Sequence, residues 1–342
     1  MKIFYAVQAT GNGHISRAME ILPYLEQYGE VDIFLSGANN SLQINAPVKY
    51  RSKGVSFFYS NSGGLNYLDT LRKFSPLRAL REANDLPVEK YDLVINDFEC
   101  ITSLACAHKN IPSVNFGHQA SFHSDLVPRP AKKEWFGEWV LRNYARASQY
   151  IGLHFNCYDN FILPPVIKKD ILDAEPMDNG HITVYLPSYS DAYVCGYLSK
   201  LKDFRFEVFS KEIKQPTQQQ NILLTPVDKD GFNKSMIACS GIITSAGFET
   251  PAEALSLGKK LMTIPIRGQY EQLCNAAALE KMGVVCMDAL DQQFPAIFEN
   301  WIKDEKKIVL ERPHSTASII NYLMTHAITK KDYQHWDYPE LA

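Results

Sequence analysis

Proton transfer near neutral pH calls for a histidine, and His14 closes the run Thr10-Gly11-Asn12-Gly13-His14, three residues before Arg17. An imidazole with an unperturbed pKa of about 6.5 can accept a proton at physiological pH. Such a residue at a helix start can also serve only to pack or cap, and base and substrate orienter both stand open for His14. Two carboxylates, Asp97 and Glu99, follow the apolar run Tyr91-Asp92-Leu93-Val94-Ile95-Asn96. They could hold substrate hydroxyls, or Asp97 could replace His14 as base, or Asp97 could cap the helix that follows. His118 stands after Gly117 at the end of another apolar run. The longest stretch with chemical content is Thr244 to Ala278, containing Ser245-Ala246-Gly247, Glu253, Glu271-Gln272 and Asn275. A small-residue turn opening a helix leaves free N–H groups for an anion, so the pattern alone predicts a phosphate or nucleotide pocket.

These residues need elements to position them. Lys2 to Ala9 reads as a buried strand, and Ile15, Ala18, Met19, Leu22 and Leu25 give the next segment helical spacing. Gly241-Ile242-Ile243 is a strand, Phe248, Ala252 and Leu255 mark a helix, and Lys260 to Ile264 is a strand stopped by Pro265. A second helix begins near Glu271 and is capped by Gly283. Further strands are predicted at Val31 to Ser36, Val55 to Tyr59, Tyr91 to Asn96, Ser113 to Phe116, Tyr150 to Leu153, His181 to Leu186, Phe204 to Phe209, Ile222 to Thr225 and Val284 to Met287. Strands alternating with helices predict parallel sheets, which bind ligands at the carboxyl ends of their strands. The proline-rich stretch Asn156 to Pro176 is the predicted boundary between two halves. Gln215 to Gln220 reads as a polar connection, and Ser188 in the turn after His181 to Leu186 offers a hydroxyl to the same rim.

Composition narrows the classes. The 342 residues allow two domains, and 35 basic against 38 acidic side chains give a net charge of -3, which speaks against nucleic-acid binding. No apolar run approaches the roughly 18 residues of a membrane span, and the N-terminus leads straight into a strand. A cytoplasmic protein is expected. Seven scattered cysteines without C-x-x-C spacing predict buried thiols rather than disulfides or zinc. Between Gly63 and Glu89, Leu65, Leu68, Leu71, Leu77 and Leu80 alternate with Arg72, Lys73, Arg78 and Arg81. The plainer reading is a surface helix with its apolar stripe on the core, interrupted at Pro76; peripheral contact with the inner face of a membrane is the second. Lys132 to Ser148, with Trp135, Phe136, Trp139 and Tyr144, is expected to pack as a helix.

Gly11, Gly13, His14 and Arg17, together with Ser245-Ala246-Gly247, Glu253-Ala254-Leu255, Gly258, Pro265, Glu271-Gln272 and Asn275-Ala276, resemble the motifs of GT-B glycosyltransferases. The likeness is to the family 28 type that includes the lipid II-forming N-acetylglucosaminyltransferase. It implies two Rossmann-like α/β domains with parallel sheets facing across a cleft, and a final helix crossing back to the first domain. The expected division is 1–160 for the acceptor, 161–325 for the donor and 326–342 as a tail of unread role. The resemblance implies a UDP-sugar donor such as UDP-N-acetylglucosamine, an inverting and metal-independent transfer, no cofactor, and an unidentified carbohydrate or lipid-linked acceptor. Its catalytic residues would be His14 and Asp97. Its donor contacts would be Gly11, Gly13, Ser188, Ser245, Ala246, Gly247, Glu253, Glu271, Gln272 and Asn275, with Glu253 on the ribose. Arg17, Glu99 and His118 are the acceptor-side candidates. A UDP-N-acetylglucosamine 2-epimerase shares the fold and is the alternative enzyme; an inactive nucleotide-sugar sensor is the alternative outside enzymes.

Overall fold

The computed structural model describes residues 1–9, 12–37, 46–54, 75–310 and 315–329. Two seven-stranded sheets organise them. The first contains β1 (Lys2–Gln8), β2 (Glu30–Ser36), β3 (Val48–Ser52), β4 (Leu93–Asp97), β5 (Val114–Gly117), β6 (Gln149–Leu153) and β7 (Ile162–Leu163), ordered β3-β2-β1-β4-β5-β6-β7 and parallel throughout. The second contains β8 (His181–Tyr185), β9 (Arg205–Ser210), β10 (Thr217–Gln219), β11 (Ile222–Pro226), β12 (Gly241–Thr244), β13 (Lys260–Thr263) and β14 (Val285–Cys286), ordered β10-β11-β9-β8-β12-β13-β14. Here β10 runs antiparallel to β11.

Parallel neighbours require crossovers, and helices supply most of them. They are α1 (Asn12–Leu25), α2 (Pro76–Asp85), α3 (Cys100–Lys109), α4 (Trp135–Asn143), α5 (Lys169–Leu172), α6 (Asp191–Leu198), α7 (Lys229–Ala238), α8 (Glu249–Ser256), α9 (Tyr270–Met282), α10 (Phe294–Lys303) and α11 (Thr316–His326). Strand β1 is buried on both faces, with Ile3, Tyr5 and Val7 in one core cluster and Phe4 and Ala6 in another. Helix α11 lies against α1, and Thr316 donates to Glu20 at 3.2 Å while Gln149 donates to the His326 carbonyl at 2.8 Å. The final helix therefore returns to the first sheet. Strand order reverses between β1 and β4 and again between β8 and β12, which makes two switch points where ligands are held in such sheets.

Several local expectations are corrected. Val48–Ser52 forms a half-buried edge strand, while Val55 to Tyr59 lies outside the described residues. Part of the polar stretch 215–220 is the edge strand β10. Pro76 opens α2 rather than breaking it, since a missing N–H costs nothing in a first turn. Leu77 and Leu80 are 79% and 57% exposed, and Ala79 and Ala83 form the buried stripe instead. Leu65, Leu68, Leu71, Arg72 and Lys73 lie outside the described residues, as does the aromatic tail with Tyr333, Trp336 and Tyr338. On α4, Trp135, Phe136 and Trp139 are exposed and the buried positions are Gly137 and Leu141. A glycine carries no hydropathic signal, so the packed face of that helix is silent in the sequence.

Candidate active site

Asp97 ends β4 with no exposure to solvent. The next residue, Phe98, has φ +55°, a left-handed conformation that costs a non-glycine residue about 1–2 kcal/mol. Asn96 braces this corner, accepting from the Glu99 N–H at 2.6 Å and donating to the Glu99 carbonyl at 2.9 Å. The corner sends the two carboxylates apart. Glu99 caps α3, accepting from Ile101 and Thr102 N–H at 2.8 and 2.6 Å, which takes both its oxygens away from any acceptor. The cap is thus Glu99 and not Asp97.

Asp97 instead faces α1. Its Oδ1 lies 2.9 Å from His14 Nδ1, and Arg17 donates to both oxygens, at 2.7 Å from Nη2 to Oδ1 and 3.2 Å from Nε to Oδ2. A carboxylate only accepts, so its contact is met by a proton on His14 Nδ1, whereas the donor-only Arg17 Nη2 stands 3.0 Å from the same nitrogen; in the tautomer that Asp97 favours, Nε2 is the accepting atom of the ring. Burial resists ionisation of Asp97, but Arg17 and then His14 hold its pKa below the usual carboxylate range. Gly117, at the end of β5, makes room: a Cβ there would stand 2.7 Å from Asp97 Oδ1.

The same guanidinium reaches the other half of the molecule. Arg17 Nη1 donates to Glu249 Oε1, at the start of α8. Three more ties cross beside it. His118 Nε2 meets Asn275 Oδ1 at 2.7 Å, Gln119 donates to Glu271 Oε2 at 3.0 Å, and Tyr270 donates to Glu138 Oε1 at 2.6 Å. His118 is fully buried, holds the Leu153 carbonyl at 2.9 Å through Nδ1, and stacks on Phe248 at 3.9 Å. Both its nitrogens are spent on protein partners, so it ties the halves together rather than lining an open acceptor rim.

Of the expected donor contacts, Ser188, Ser245, Ala246, Gly247, Glu253, Glu271, Gln272 and Asn275 belong to the half built on the second sheet, while Gly13 belongs to α1 of the first. Ser245 and Gly247 are half-buried, and the Ala246 carbonyl accepts from Asn275 Nδ2 at 3.1 Å. An added Cβ at Gly247 would meet no atom within 4 Å, so packing does not demand glycine there. Gly13 faces Glu249, 3.3 Å from a built Cβ to Glu249 Cγ, while Gly11 lies outside the described residues. Ser188 sits half-buried in the turn after β8. Glu253 is buried and salt-bridged to Lys168 at 3.0 Å, and Gln272 Oε1 accepts from the Ile266 N–H at 2.9 Å. A separate groove of about 470 Å³ lies between Arg129–Ala131 and α9, lined also by Pro265, Lys281 and Asp288, and shares none of these residues.

Two α/β sheets joined by a cleft carry this constellation, and a family model described as glycosyl transferase family 1 matches residues 1–303. The chain belongs to glycosyl transferase family 1. No curated protein sequence matches it. Among solved structures, SnogD from Streptomyces nogalater is 15% identical, with 94% of this chain and 99% of that chain covered and a TM-score of 0.53. Acinetobacter baumannii MurG is 16% identical over 95% and 99%, with a TM-score of 0.54. Arabidopsis thaliana UGT89C1 complexed with UDP is 13% identical over 83% and 85%, also at 0.54. At such identities these structures show the fold alone, and that fold is GT-B.

This family 1 glycosyltransferase holds three site residues that sequence reasoning passed over. Glu249 stands inside the stretch Thr244 to Ala278, where nothing in its own spacing sets it apart. Lys168 lies in the linker, far in sequence from Glu253. Gly117 carries no chemistry of its own, and its only signal in the sequence is its place before His118 at a strand end.

Proposed function

We propose that the protein transfers a sugar from a nucleotide-diphosphate sugar, a UDP-sugar such as UDP-N-acetylglucosamine, to an acceptor hydroxyl, with inversion and without a metal. The single observation carrying this reading is the His14–Asp97 pair at one switch point, tied through Arg17 to Glu249 at the start of α8 at the other. His14 Nε2 takes the acceptor proton while Asp97, kept ionised by Arg17, stabilises the imidazolium that forms. The acceptor oxygen bonds to the anomeric carbon as the carbon–oxygen bond to the diphosphate breaks. The diphosphate leaves with that electron pair. N–H groups at Gly247 and in the first turns of α8 and α9 oppose the growing negative charge.

In this reading residues 1–160 serve the acceptor, a carbohydrate or lipid-linked hydroxyl, and 161–325 the donor, with Glu253 turning from Lys168 to the ribose. The kinship with the lipid II-forming family 28 type rests on the sequence motifs. Thermal shift with UDP, GDP, dTDP and a panel of UDP-sugars tests the donor assignment on the native chain and on Glu253→Gln, which keeps a hydrogen-bonding neighbour for the half-buried Lys168. A ligand at 100 times its Kd adds about 2.7 kcal/mol. Stabilisation by UDP and one UDP-sugar, lost in the variant, is the expected result; no shift with any nucleotide overturns the reading.

A further inference from the structure

We propose that the Glu249 carboxylate holds the place of the donor's diphosphate between the two halves of the molecule, and that the donor binds by displacing it. The inference rests on the donor site proposed above, and it concerns a residue given no role there.

Three features put a carboxylate where an anion would sit. Glu249 is the first residue of the eight-residue α8, at the positive end of that helix and two residues after Gly247. Its Cγ lies against the first turn of α1, 3.3 Å from where a Cβ on Gly13 would be. Its Oε1 accepts from Arg17 Nη1. A helix start on each side and a guanidinium make an anion cradle, and the protein's own side chain fills it.

Arg17 then carries two carboxylates on one positive charge. Asp97 is wholly buried and held also by His14, whereas the Glu249 side chain is 15% exposed and has Arg17 as its hydrogen-bonded partner. Glu249 is the one able to leave. A diphosphate diester bearing two negative charges cannot share the cradle with an ionised carboxylate, because like charges in a partly desolvated cleft repel strongly. Entry requires Glu249 to swing out or to take a proton.

The surroundings make the second route accessible. Burial raises the Glu249 pKa to about 7, opposed by Arg17 and His14 of α1 and assisted by Glu253, one turn along α8, and by Asp97 of β4. Glu253 is itself paired with Lys168, and Tyr5 of β1, with no hydrogen-bond partner for its hydroxyl among the described residues, stands close enough to feel the Glu249 charge. Donor affinity should therefore fall as pH rises through neutrality.

The test is calorimetric titration with the UDP-sugar that stabilises the native chain. An intact UDP-sugar is used because the terminal phosphate of UDP titrates near pH 6. Native affinity should drop about tenfold from pH 6 to pH 8, the limit for one coupled proton with a pKa near 7. Glu249→Gln and Glu249→Ala should bind equally well at both values, at least as tightly as the native chain at pH 6; alanine excludes a new amide–phosphate bond as the cause. A slope that survives in both variants assigns the titration to another group such as His14 and overturns the proposal. Weaker binding by both variants at pH 8 also overturns it, because Glu249 would then be a donor contact. Absence of binding by native and variant chains at either pH removes the donor site itself, a result distinct from the other two.

Discussion

The two switch points are built on opposite plans. At the first, between β1 and β4, a buried guanidinium and a buried carboxylate lock each other and aim one imidazole, so the proposed catalytic pair is held in place by protein contacts. At the second, between β8 and β12, Glu253, Glu271, Gln272 and Asn275 all have protein partners: Lys168, Gln119, the Ile266 N–H and His118. The first is satisfied within one sheet and its first helix, apart from the Arg17–Glu249 tie. In the proposed function the second must exchange protein partners for ligand, and because Gln119 and His118 belong to the first half, binding there would be coupled to how the halves meet.

The largest break in this comparison is Asp97→Ala. It leaves the Arg17 guanidinium, 2% exposed, with Glu249 as its one carboxylate partner among the described residues, and removing one partner of a buried pair costs about 3–5 kcal/mol. Chemical denaturation should show that loss, and activity should vanish with it. His14→Ala is the complementary case. Transfer should fall by about 10²–10⁴-fold, the usual contribution of a general base, with a stability loss of about 1–3 kcal/mol from the lost Asp97 contact, while donor-induced stabilisation stays as in the native chain. A matching loss of donor binding would make His14 a donor contact instead.

The pH dependence of stability separates the two carboxylates on Arg17. Asp97 has a depressed pKa, so it stabilises the fold above its unfolded value of about 3.9, and that contribution disappears as pH falls through the lower folded value. Glu249 has a raised pKa of about 7, so the folded state binds its proton more tightly than the unfolded chain. Stability should then decline as pH rises from about 4.3 to 7, by an amount on the order of 4 kcal/mol at most. Glu249→Gln should flatten that decline in melting curves taken between pH 5 and pH 8.

Two glycines sharpen the contrast further. Gly117→Ala drives a methyl to 2.7 Å from Asp97 Oδ1 and should cost about 1–3 kcal/mol as an overpacked site, with activity lost alongside. Gly247→Ala meets empty space and should leave the melting temperature unchanged, while nucleotide-induced stabilisation shrinks. Equal destabilisation by both would remove the distinction between a packed site and an open one. The smallest effect belongs to Trp135→Ser. This ring is 79% exposed on α4, and its loss should change stability by less than about 0.5 kcal/mol.

The legible part of this protein was what local sequence controls. Apolar runs such as Leu93–Ile95 and Gly241–Ile243 announce buried parallel strands, and glycine turns mark their carboxyl ends, because strand and helix periodicity and the absence of a Cβ act over a few residues. Those signals sufficed for the two-sheet architecture and for the neighbourhoods of His14, Asp97 and Gly247. Edge strands such as Val48–Ser52 escaped, since a half-buried edge carries mixed polarity. The face of α4 escaped because Gly137 packs by being small.

What tertiary structure alone decided is the use of each charged or polar group. Asp97 and Glu99 are two residues apart and chemically alike, yet the left-handed corner at Phe98 turns one toward Arg17 and the other onto a helix end. Arg17 and Glu249 are separated by 232 positions and meet only because two switch points face each other. A carboxylate's role follows from the cation, N–H or solvent within a few ångströms of it, and contacts over such sequence separations exist only once both sheets are assembled.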